Sequence, residues 1–95
     1  MVIGVLRLTW DVPADSLKEK RGIIRPLVER ARNRFNAAIA EVDSLDQPRK
    51  AVVCVAVVSN DARHADSQLQ AILSAIEGWS TEAALSGVET ELLHP

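Results

Sequence analysis

Apolar positions along this chain follow two different periods. Residues 2–12 (VIGVLRLTWDV) are β-branched and apolar with little polar interruption, which predicts a strand. After a loop marked by Asp11, Pro13 and Asp15 the period lengthens. Leu17, Ile24, Leu27, Val28, Ala31 and Phe35 recur at three- and four-residue steps, predicting an amphipathic helix over 16–34. Ser16-Leu17-Lys18-Glu19 has the form of a capping box, in which the serine hydroxyl takes an orphan amide and the glutamate reaches back. Pro26 stands inside this helix, with its ring directed at the carbonyl four residues back, on Gly22. Glycine can yield there. The expectation is a helix kinked around its core, with a break near Arg25 as the alternative.

Residues 35–44 (FNAAIAEVDS) read as a second, less apolar strand, and residues 50–59 (KAVVCVAVVS) as the most hydrophobic strand of all. Asn60 or Asp61 can cap a second helix whose buried face holds Ala65, Leu69, Ile72, Leu73 and Ile76, with Trp79 closing it. Gly87 ends a loop, and residues 88–93 (VETELL) alternate as a final strand. The order β-α-β-β-α-β, with right-handed crossovers, predicts an α+β ferredoxin-like sandwich. Its sheet order is 4-1-3-2, with both helices on one face. Strands one and three are nearly continuous apolar runs, as central strands should be. Strands two and four carry Glu41, Asp43, Glu89 and Glu91, charges that protect edges from pairing with a neighbour. Residues 1–95 form one domain on this reading.

Composition adds three constraints. Trp10, Phe35 and Trp79 are the only aromatic residues, so the core must be aliphatic. A single cysteine, Cys54, rules out an internal disulfide and a cysteine-based metal cluster, and is in keeping with a reducing compartment. The apolar N-terminal run meets Arg7 too soon to be a signal peptide or a membrane span, so a cytoplasmic location is expected. The net charge of −2 hides an asymmetry. Lys18, Lys20, Arg21, Arg25, Arg30, Arg32 and Arg34 face only Glu19 and Glu29 within residues 16–34, leaving that segment at +5.

The stretches SLKEKR (16–21), RNRFNAAIAEVD (32–43) and AVVSND (56–61) resemble the YlxP-like family of small bacterial proteins. The resemblance covers nearly the whole chain and implies a ferredoxin-like fold. It supplies no activity and no catalytic residues. Genes of that family often stand beside those for translation initiation and ribosome maturation, so the resemblance also implies an RNA-linked setting.

No catalytic constellation can be assembled. Cys54 lies between Val53 and Val55 with no charge within three positions, so a buried, inert thiol is expected. Ser16 and Ser59 read as caps. His64 and His94 are far apart, and Asp61, His64 and Asp66 fit a helix N-terminus better than a metal site. The four glycines are scattered rather than gathered into a phosphate loop. Glu41 with Asp43, and Glu89 with Glu91, read as same-face pairs on edge strands rather than a catalytic dyad. The expectation is a protein without cofactor, metal or catalytic activity.

Two surfaces remain. Lys18, Arg21, Arg25 and Arg32 fall within about 60° of one another on the first helix, as 100° per residue dictates. That ridge is either a solvated helix face or a docking face for the phosphates of structured RNA or a ribosomal particle. With no aromatics on strands three and four, any RNA contact should be through the backbone and sensitive to salt. The second surface is the sheet face away from the helices. Ile3, Val5, Arg7 and Thr9 should point there, joined by Ile39 and Ala37 and rimmed by Arg7, Glu41, Glu89 and Glu91. Such an aliphatic patch predicts a homo-oligomeric interaction or small-ligand-sensing face, self-association being the economical reading, with a heterologous partner or a cover by residues 93–95 as the alternatives.

Overall fold

The computed structural model describes residues 1–95. Six elements follow one another: β1 (Val2–Asp11), α1 (Leu17–Arg34), β2 (Ala38–Asp43), β3 (Lys50–Ser59), α2 (Ala62–Glu77) and β4 (Ala84–Leu93). The strands form one sheet in the order β2-β3-β1-β4, every neighbouring pair antiparallel. This is the ferredoxin-like α+β architecture, with the apolar strands β1 and β3 at the centre. No helix is long and apolar enough to cross a membrane.

Alternation along β1 decides which face is covered. Val2, Leu6, Leu8 and Trp10 are buried beneath the helices, while Ile3, Val5, Arg7 and Thr9 are half-buried on the opposite face. Val53, Val55 and Val57 of β3 join the covered side, as do Ile24 and Ala31 of α1 and Ala65, Leu69, Ile72 and Ile76 of α2. Leu73 and Trp79 pack at the margin of this core. Gly4 permits close approach of α2: a Cβ at that position would stand 3.0 Å from Val57 and 3.1 Å from Leu69.

α1 starts where its capping residue predicts. The Ser16 hydroxyl accepts from the Glu19 amide at 3.1 Å. The Glu19 carboxylate closes the reciprocal contact one residue earlier than a standard box, accepting from the Asp15 amide at 3.3 Å. Pro26 does not split the helix, which runs unbroken to Arg34 and is ended by Phe35 in an extended conformation. α2 is capped by Asp61, whose carboxylate accepts from the Arg63 and His64 amides at 2.8 and 3.4 Å. Asp61 is thereby the helix cap, and it forms no metal-holding group with His64 and Asp66.

Two strands differ from expectation in extent. β2 begins at Ala38, because Phe35 serves as the α1 cap and the next residues form the connection. β4 begins at Ala84 rather than residue 88, with a pairing irregularity opposite Thr9 and Trp10 that accommodates the extra length.

Register corrects the assignment of several side chains. Ile39 pairs with Val55 and is only 4% exposed, so it belongs to the covered core and not to the open face. Ala38 and Ala40 take the open side instead, opposite Ala56 and Cys54. Cys54 is half-buried on that same open face, directly across from Arg7. The absence of charge nearby in sequence did not reveal this cross-strand guanidinium. Glu41 and Asp43 are not a same-face pair. A bulge between them sends Glu41 to the helix side, against Lys20 of α1, and Asp43 to the open side, 3.2 Å from Arg7.

Candidate nucleic-acid interface

The cations of α1 divide into three groups by what they touch. Lys20 is withdrawn from solvent altogether, at 1% exposure. It continues the apolar stripe between Leu17 and Ile24, and its ammonium is satisfied at the far end. Nζ donates to the carbonyls of Ser44, Leu45 and Lys50 at 2.9, 3.4 and 3.2 Å. The Glu41 carboxylate lies 2.9 Å away, off the line of a directed hydrogen bond but close enough to neutralise the charge. Lys20 thereby clasps the β2–β3 loop, where Ser44 adopts a left-handed φ of 55°. Sequence reasoning counted it only as charge. Its place in the stripe, three residues after Leu17 and four before Ile24, was the available signal.

The second group is exposed but engaged. Arg32 Nε donates to the Ile39 carbonyl at 2.8 Å, and so is drawn toward the edge of β2. The Arg30 guanidinium lies 4.4 Å from the centre of the Trp79 ring and that of Arg34 lies 5.6 Å from Phe35. These stems cover aromatic margins of the core.

The third group, Lys18, Arg21 and Arg25, is exposed and makes no ion pair or hydrogen bond within the protein. The three ion pairs of the molecule, Arg7–Asp43, Lys20–Glu41 and Arg49–Asp15, all lie elsewhere. The free cations line a shallow groove of about 410 Å³ together with Gly22, Pro26 and Glu29. Pro26 also borders two further grooves, one leading to Arg30 and Thr81, the other to Asn33 and Arg34. Of the four ridge residues expected from helical spacing, the structure thus gathers Lys18, Arg21 and Arg25 and turns Arg32 aside.

The open sheet face is the second surface. Val58 is 69% exposed and Leu93 39%, flanking Ile3, while Val5 lies between Ala56 and Glu91. Glu89 and Glu91 line its β4 side, as expected, whereas Glu41 has left it. Asp43 takes that place on the rim. Its carboxyl is held below the ordinary value of 3.8, first by the Ser44 amide and then by the Arg7 guanidinium.

Comparison with known proteins gives three findings. The family model described as "Protein of unknown function (DUF503)" matches residues 3–90. The uncharacterized protein YlxP of Bacillus subtilis (strain 168) is 32% identical over 66 residues, covering 70% of this chain and 72% of that protein. Among solved structures, SnoaB, a cofactor-independent oxygenase from Streptomyces nogalater, superposes with a TM-score of 0.47 at 14% identity. The superposition covers 99% of this chain and 92% of SnoaB.

Proposed function

The chain belongs to the DUF503 family of unknown function, and we propose that it is a non-enzymatic accessory factor that docks on structured RNA through α1. One observation carries this reading: Lys18, Arg21 and Arg25 share one groove and have no carboxylate or carbonyl partner in the protein. Lys20 and Arg32 of the same helix are, by contrast, taken up by carbonyls of the fold. Phosphates supply what these three lack, and contact through them positions a partner without reading its sequence.

The test is co-sedimentation of the native protein with ribosomal particles at rising salt. Three phosphate contacts give a log–log salt slope of about −3. The triple variant Lys18→Glu, Arg21→Glu, Arg25→Glu is expected to abolish association while the domain stays folded by circular dichroism. Association that survives the charge reversal would overturn the proposal.

A second reading is supported by the exposed apolar side chains Val58 and Leu93 beside Ile3 and Val5. The sheet face measures roughly 600 Å² from strand spacing and rise, so two copies face to face would bury about 1,200 Å², the lower end for stable dimers. Val5→Asp is expected to convert a dimer to monomer in sedimentation equilibrium. A wild-type protein that is monomeric at micromolar concentration would remove this reading.

A further inference from the structure

The two free edges of the sheet are finished differently. β2 is six residues long, is bulged between Glu41 and Asp43, and carries the Arg32 side chain on its Ile39 carbonyl. Short length, a bulge and a covering cation are ordinary ways of closing an edge. β4 has ten residues and pairs with β1 alone. Its one irregularity lies near its start, opposite Thr9 and Trp10, and residues 87–93 run in regular register. Their outward amides and carbonyls find no partner in the protein, from backbone or side chain. No lysine, arginine or proline stands within the strand.

The two sides of that edge differ in character. Glu89 and Glu91 stand on the open face, beside Arg7 and Val5 of β1. Neither has an ion pair, since Arg7 is given to Asp43. On the helix side Val88 is 43% exposed, although its β1 neighbour Leu8 is buried. Val88 borders a groove of about 530 Å³ whose lining includes Ile76, Trp79 and Leu85, together with Glu77. Charge in this part of the chain has one sign. Residues 64–95 hold Asp66, Glu77, Glu82, Glu89 and Glu91 and not one lysine or arginine.

We propose that the β4 edge binds an extended segment of a protein partner, which joins the sheet as a fifth strand. A strand laid there alternates its side chains between the two faces of the sheet. Lysine or arginine at every second position comes beside Glu89 and Glu91. The apolar residues between them turn to Val88 and the groove. The partner is thus a basic segment of alternating pattern. The same glutamates disfavour a second copy of this chain, because two β4 edges side by side gather four carboxylates and bring no cation. They repel a like strand and admit a basic one. The surface belongs to β4 and the end of α2, so it is independent of the RNA-docking reading of α1.

The test uses the native protein and a peptide of alternating lysine and valine, the length of β4, at up to about 1 mM. Two N-methylated versions block one or the other alternate set of peptide amides, and a further peptide carries glutamate in place of lysine. NMR spectra read the shift and hydrogen exchange of the β4 amides. The lysine peptide is expected to bind and to slow exchange at alternate β4 amides, and the glutamate peptide not to bind. One methylated version should bind as the parent does and the other should fail, because only alternate amides of a strand face its neighbour. Glu89→Lys with Glu91→Lys is expected to weaken the lysine peptide about tenfold, with circular dichroism unchanged. Methylated versions that behave alike would overturn the proposal, as would lysine and glutamate peptides that bind equally. Exchange at β4 unchanged at the highest concentration would overturn it too. Outward β4 amides already protected in the free protein, in a dimer by sedimentation, would give the edge to a second copy and overturn it as well.

Discussion

α1 and α2 lie on the same face of the same sheet, yet folding explains one far more fully than the other. In α2, Asp61 satisfies two amides at the start, Gly78 ends the helix, and Ala65, Leu69, Ile72 and Ile76 seat its inner face. Its interior contains neither proline nor glycine. α1 has a comparable cap and a buried stripe, but its outer face carries Gly22, Pro26 and three cations without partners. On the proposed reading, residues that weaken an element without packing against the core answer a demand made from outside the protein.

The largest test of that contrast falls on the one α1 cation that folding does explain. Lys20→Ala leaves the Glu41 carboxylate and the carbonyls of Ser44, Leu45 and Lys50 without their shared donor. The expected loss is about 3 kcal/mol, read by urea denaturation. A loss under about 0.5 kcal/mol, ordinary for a surface substitution, would erase the distinction between Lys20 and its neighbours. Next comes the reversal of Lys18, Arg21 and Arg25 to glutamate. It should cut RNA affinity at least a hundredfold, roughly 2.7 kcal/mol, with stability nearly unchanged.

Pro26→Ala should stabilise the protein by about 1–3 kcal/mol, and Gly22→Ala by about 0.5–1 kcal/mol, both measured by denaturant titration. A destabilising result for either would mean that α1 needs these residues structurally, and the contrast with α2 would collapse. The smallest effect lies outside both helices. The folded-state pKa of Asp43 is lowered, so its contribution to stability is present above the unfolded value of 3.8 and disappears as pH falls through the folded value. Asp43→Asn should melt slightly below the native protein at neutral pH, the two curves converging as pH falls below 3.8 and through the lowered folded value. Parallel curves down to that pH would show that the Ser44 and Arg7 contacts contribute nothing.

Most of the architecture was legible because the signals that specify it are local. Ser16 announces α1, Asp61 announces α2, and the run 50–59 is bounded by polar residues that mark β3 to the residue. What was illegible depends on parity and on neighbours across strands. One inserted residue between Glu41 and Asp43 reverses the faces of everything on one side of it, so an alternation counted through the bulge misplaces Ile39. Cys54 was read against its sequence neighbours, whereas its charged neighbour, Arg7, arrives from β1. The candidate interface was more legible than the open face, because helical spacing put Lys18, Arg21 and Arg25 together without any register to decide. Only the side-chain bond of Arg32 to Ile39, a long-range consequence of where β2 ends up, could not be anticipated.

The pairing of β1 on both sides has a consequence for how the molecule is made. β1 is synthesised first, and one of its two partners is β4, with Ile3 opposite Leu93. Until that last strand arrives, a ten-residue apolar strand has one hydrogen-bonding edge open. That seam pairs Ile3 with Leu93, the widest sequence separation in the sheet, and contacts of wide separation are slow to form and exposed to misassociation meanwhile. A nascent chain of this kind benefits from folding where other unfolded chains are kept at a distance.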